Sequence, residues 1–231
     1  MADPRARSET SIGRFLVYAG PLVWAALIVF HPNPGGDSPY DGISDVVDRW
    51  LVVHVGQLIL TPFLFLAVWR LLDGLSSTAA TVSRAALVVW TVFFSAYDSI
   101  QGIATGILTR WANDHAGEER AAVARAIEFI VEDSQLAGNI SAIGLVAGAS
   151  WLIVAIAAAV ALHKAGAGRA VVVATCLSVV VAAHSAPAAI GFVALFLAGV
   201  LRERQRTKSP LGAPAVTSVG RGRWPREGST R

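Results

Sequence analysis

Between Arg49 and Arg70 lie twenty residues, WLVVHVGQLILTPFLFLAVW, without one formal charge. At about 1.5 Å per helical residue such a stretch spans about 30 Å, the hydrocarbon thickness of a bilayer. Trp50 and Trp69 bound it, and an amphipathic ring at each end suits the two headgroup layers. Within it, His54, Gln57 and Thr61 recur at helical spacing and share one face. Polar side chains rarely face lipid, so this face is expected to turn toward other helices or a wet cavity.

The remaining apolar residues are blocked in the same way. The chain is 54% hydrophobic and only 15% charged, too apolar for an ordinary soluble domain. The pattern predicts an all-α, polytopic membrane helix bundle of six spans, at about residues 14–31, 50–70, 85–109, 138–162, 170–184 and 187–201. The first follows Arg5, Arg7 and Arg14 but lacks a small-residue cleavage site, so it reads as an uncleaved span. The last two come from the uncharged block 170–201, about 48 Å as one helix and too long for one crossing. His184-Ser185-Ala186-Pro187 sits in its middle and divides it, because the residue before proline disfavours helix.

Residues 116–133 read as an amphipathic helix on the outer side, between spans three and four, with Val123, Ala126, Ile127, Ile130 and Val131 on its apolar face. Residues 1–13 form an N-terminal tail, 14–202 the transmembrane domain, and 203–231 a basic tail whose composition reads as disordered.

Charge supports this arrangement. The segments assigned to the inside hold fifteen Lys/Arg and five acids, against four Arg and ten acids outside. Both termini are therefore expected in the cytoplasm of a multi-pass plasma-membrane protein. The net charge of +3 is no nucleic-acid signal, since the basic residues flank apolar blocks. Cys176 is the single cysteine, so one chain cannot build a disulfide framework or thiolate cluster.

Asp98 is the only formal charge inside any predicted span. An ionised carboxyl in lipid costs several kcal/mol, on the order of 3 or more, so it needs partners or a function. Ser95, His54 and Gln57 are candidate hydrogen-bond partners. Thr91, Ser95, Asp98, Gly102, Thr105 and Thr109 form a small, polar seam along the third span, with Gly102 and Gly106 as a GxxxG. His31, His54 and His184 are expected near one depth on the outer side, with Asn139 beside them. The predicted ligand or proton path comprises Asp98, His54, Gln57, Ser95, Gln101, Asn139, His184 and His31.

Three neutral imidazoles suit zinc or copper, which makes His31, His54 and His184 candidate metal ligands. His54 facing His184 is a candidate haem pair. The spacing is diagnostic of neither, with no HxxxH or HExxH, and interfacial histidines capping helix ends explain the same residues. No P-loop, dinucleotide glycine pattern or nucleophile motif is present. Three readings follow. The first is a membrane protein binding or passing a small solute or ion through an outward-facing polar cavity. The second is a membrane-embedded enzyme on a lipid or isoprenoid-like substrate, with Asp98 as general acid and His54 its partner. The third is an accessory subunit. Expected partners are the bilayer, the solute, ion or lipid ligand, and a second copy through Gly-rich faces.

Overall fold

A computed structural model describes residues 18–32, 38–132, 141–183 and 187–208. Among these the chain is all-helical, without strands. In order come α1 (Tyr18–Val29), α2 (Pro39–Ser44), α3 (Val47–Leu71) and α4 (Thr78–Tyr97). A π-helical stretch over Asp98–Ala104 continues directly into α5 (Thr105–Asn113). Then follow α6 (Gly117–Glu132), α7 (Ala142–Lys164), α8 (Arg169–Leu177) with a 3₁₀ extension over Ser178–Ala183, and α9 (Ala188–Lys208).

Three helices are long and apolar enough to cross a bilayer: Val47–Leu71, the continuous rod Thr78–Asn113, and Ala142–Lys164. Tyr18–Val29 and Arg169–Ala183 are shorter apolar helices. The rod runs beyond the predicted third span at both ends, and α6 lies where the amphipathic helix is expected. Asn139, His184, the N-terminal tail and residues 209–231 lie outside the described residues, and the start of the predicted C-terminal tail is helical instead, since α9 continues to Lys208.

Local sequence sets the helix ends. Ser38, Ser77 and Ser141 each accept a hydrogen bond from a backbone N–H three residues on, satisfying a donor that the first turn leaves open. Gly74 and Gly166 take positive φ just past α3 and α7, a left-handed stop that a side chain would resist.

The core is built on heptad-like stripes. On α3 the buried residues include Trp50, His54, Gln57, Thr61, Leu64, Val68 and Leu71, spaced alternately four and three apart. On the rod they are Ser83, Leu87, Trp90 and Phe94, then Asp98, Gly102, Thr105 and Thr109. This corrects the expected seam, since Thr91 and Ser95 are only half-buried. A strict α-helix would rotate Asp98 and Gly102 progressively off the Phe94 face. The wider turn of the π segment keeps all three on it.

The two bundle ends differ in chemistry. At one, Arg206 donates to the carbonyls of Arg70 and Asp73, Arg84 to those of Leu72 and Leu75, and Arg70 pairs with Glu203 at 3.5 Å. These guanidinium groups satisfy carbonyls at and beyond the end of α3. At the other end α2, α5 and α6 pack together, tied by Tyr40 to Asn113, Asn113 to the Ser44 carbonyl, and Arg110 to Asp48.

The flanking tryptophans do not behave alike. Trp69 is 39% exposed, with Phe65 stacked beside it and the Arg84 guanidinium 5.4 Å from its ring centroid. Trp50, expected at the headgroups, is only 7% exposed and packs inside against Ile43, Val47 and Leu51. Its indole N–H has found an acceptor within the protein.

Candidate functional site

His54 sits on α3 about 10 Å below that helix's first residue, at about 1.5 Å per residue. Asp98 opens the π-helical stretch opposite it. Imidazole Nδ1 and carboxyl Oδ1 are 2.7 Å apart, with His54 3% and Asp98 0% exposed. Of the three candidate partners for Asp98, the hydrogen bond goes to His54.

Two features make the approach this close. Gly102 lies one turn beyond Asp98, and a Cβ there would collide with the His54 ring. Trp50, one turn above His54, donates its indole N–H to the Gly102 carbonyl at 2.7 Å. That carbonyl lies inside the π stretch and also accepts the backbone N–H of Thr105, so the indole adds a second donor from a neighbouring helix. The GxxxG of Gly102 and Gly106 thus receives α3 of the same chain, Gly106 against Leu51 and Trp50.

His31 completes the cluster. Its ring meets His54 edge-on at 5.1 Å and Trp50 at 5.3 Å between centroids, while Trp50 and His54 lie 4.4 Å apart. His31 Nδ1 is 2.7 Å from the Pro32 carbonyl, which can only accept, so this nitrogen carries the proton. His31, His54 and Asp98 therefore converge.

One turn deeper on the same face of α3, Gln57 is fully buried. Both of its side-chain amide atoms, and Asp98 Oδ2, lack a hydrogen-bond partner among the described residues. Buried polar atoms are normally satisfied, by protein or by ordered water. Thr61 donates its hydroxyl to the Gln57 backbone carbonyl and leaves the amide untouched.

Other predicted site residues stand apart. Ser95 is half-buried, one turn before Asp98. Gln101 donates to the Ile130 carbonyl at 3.3 Å and so ties the rod to α6. Trp50 and Gly102 were not singled out as site residues. The GxxxG flagged Gly102 for close packing, whereas Trp50 carried only the interfacial signal.

The chemistry open to the cluster follows from its burial. A carboxylate alone at this depth costs more than a net-neutral His–Asp pair, so the resting pair holds one shared proton. Either partner can carry it across the 2.7 Å contact. Among the described residues no group of three or more His, Cys, Asp or Glu side chains is placed to hold a metal ion.

A cavity of about 360 Å³ lies next door, between α1, the end of α4, the start of α7, the 3₁₀ segment and α9. It is distinct from the cluster of predicted path residues. None of His31, His54, Gln57, Ser95, Asp98 or Gln101 lines it, and its walls are mainly aromatic and aliphatic. The link to the cluster is one of sequence: Tyr97, which does line it, immediately precedes Asp98.

Compared with protein families, curated proteins and solved structures, the chain shows no significant match to any of them.

Proposed function

We propose that this chain is a multi-pass membrane protein whose buried His54–Asp98 pair takes up and releases protons from the outer side, with His31 at the entrance. The observation that carries this reading is the 2.7 Å contact between the two side chains inside helices of membrane-crossing length. An intramembrane acid held against a titratable partner is a proton-exchange element by its chemistry. The unsatisfied Gln57 amide and Asp98 Oδ2 extend the polar line one turn inward.

The same proposal includes six crossings, with the Arg-rich bundle end and both termini in the cytoplasm of a plasma-membrane protein. Lys and Arg are concentrated near the Arg70–Glu203–Arg206 end, and acids predominate on the segments at the other. The pair serves solute or ion movement coupled to protons. An enzyme using Asp98 as general acid is less well supported, because Asp98 does not line the cavity that would hold a substrate. Zinc, copper or haem would have to enlist His184 or a second copy of the chain, as would a dimeric path.

The test is infrared difference spectroscopy on the detergent-purified protein as pH is stepped, paired with proton flux in liposomes containing a trapped pH dye. The expected result is a carboxylic C=O band that appears and disappears with pH and is lost in Asp98→Asn. Proton flux should fall at least tenfold in that variant. A pH-independent spectrum with equal flux in both proteins would leave the pair a packing device and favour the accessory reading.

A further inference from the structure

We propose that the cavity beside the pair is a binding site for a neutral, planar ring compound carrying a carbonyl oxygen, taken up from the lipid phase. Three properties of its wall select this class. First, among the described residues that line it none is charged, so a charged ligand would lose its hydration to them without compensation. Second, Trp24, Trp90, Phe94, Tyr97, Trp151 and Phe192 all contribute to the lining. Trp24, Trp90, Phe94, Trp151 and Phe192 pack on one another at 4.8–5.6 Å, Trp24 stacked on Phe192 and tilted to Phe94, Trp90 stacked on Phe94 and tilted to Trp151. Such a wall offers flat π faces, which a ring uses more fully than a flexible chain does. Third, Trp24 is itself buried, and its indole Nε1 has no acceptor among the described residues. A ring carbonyl is the acceptor that group lacks.

Size and access agree. About 360 Å³ falls within the range of small-molecule sites, roughly 300–1,000 Å³. Leu145 lines the cavity and is 53% exposed, on a helix apolar enough to cross the bilayer. The opening therefore faces the same medium as the outer surface of α7. Ser141 adds a hydroxyl beside this rim, one turn from Gly144, whose added Cβ would lie 2.9 Å from the Tyr97 ring.

Gly148 allows a clean test. It lines the cavity, and a Cβ built there meets nothing within 4 Å, so a side chain at this position starts into open space. The full chain in lipid nanodiscs is titrated with 2,3-dimethyl-1,4-naphthoquinone, whose substituted ring carbons do not add to the Cys176 thiol. Quenching of tryptophan fluorescence is the readout.

The expected result is saturable quenching in wild type, weakened at least tenfold in Gly148→Phe and unchanged in Ile153→Phe, on the exposed side of the same helix. Thermal unfolding of both variants monitors the fold. Asp98→Asn should bind normally, so failure here is separable from failure of the proton reading. Non-saturable quenching in wild type would overturn the proposal, as would unchanged binding in a folded Gly148→Phe. Full relief of the quenching by dodecane would also overturn it, in favour of an acyl-chain site.

Discussion

At the scale of single residues, two glycines in neighbouring helices should respond oppositely to the same methyl group. Gly102 has the His54 ring where its Cβ would stand, so Gly102→Ala must push the imidazole away from Asp98. Overpacking of this kind costs about 1–3 kcal/mol, and proton flux should fall along with the unfolding temperature. Gly148 faces open space, and Gly148→Ala should gain about 0.5–1 kcal/mol from helix propensity alone. Thermal unfolding of both variants in one detergent checks the pair of signs. Removing only the imidazole, in His54→Ala, would strand a buried carboxyl and should cost about 3–5 kcal/mol if the carboxyl stays ionised. A smaller loss, with the infrared carboxyl band present at every pH, would show that Asp98 meets the change by staying protonated.

Among the elements, the π-helical stretch does the most positioning. It keeps Phe94, Asp98 and Gly102 on one face and presents the Gly102 carbonyl to Trp50. Deleting Ile100 would let the stretch close into an ordinary α-helix, which removes the widened turn and shifts Gly102 and its carbonyl out of register with the His54 ring and the Trp50 indole. Helix content by circular dichroism should be nearly unchanged, while the Asp98 infrared signature and proton flux are lost. Intact flux in that deletion would mean that the register of the rod is immaterial to the pair.

This element also marks the limit of what the chain discloses before it folds. The long apolar blocks announced the helices, and the isolated charge announced Asp98, because lipid penalises exceptions heavily. His54 stood out as its partner by lying on the polar face of α3, though Ser95 and Gln57 qualified equally. A wide turn leaves no such trace, since it is settled by packing between helices rather than by local propensity. The bond from Trp50 was hidden for a related reason: an indole in a sequence does not name its acceptor, and the Gly102 carbonyl comes from another helix. The aromatic cavity was illegible because its walls come from five separate segments.

For the molecule as a whole, the proposed topology makes a labelling prediction. In a Cys176→Ser background, a cysteine replacing exposed Glu118 should react with a membrane-impermeant maleimide added outside intact cells. One replacing exposed Lys164 should react only after the membrane is opened. The reverse pattern would invert the protein and place the His31 entrance on the cytoplasmic side. The continuous rod Thr78–Asn113 has a further consequence. At thirty-six residues it is about 54 Å long, well beyond a hydrocarbon layer of about 30 Å. Its far end is clamped by α2 and α6, and its widened turn lies directly under the carboxyl. The clamped end therefore joins the Asp98–His54 contact through the one π-helical stretch among the described residues.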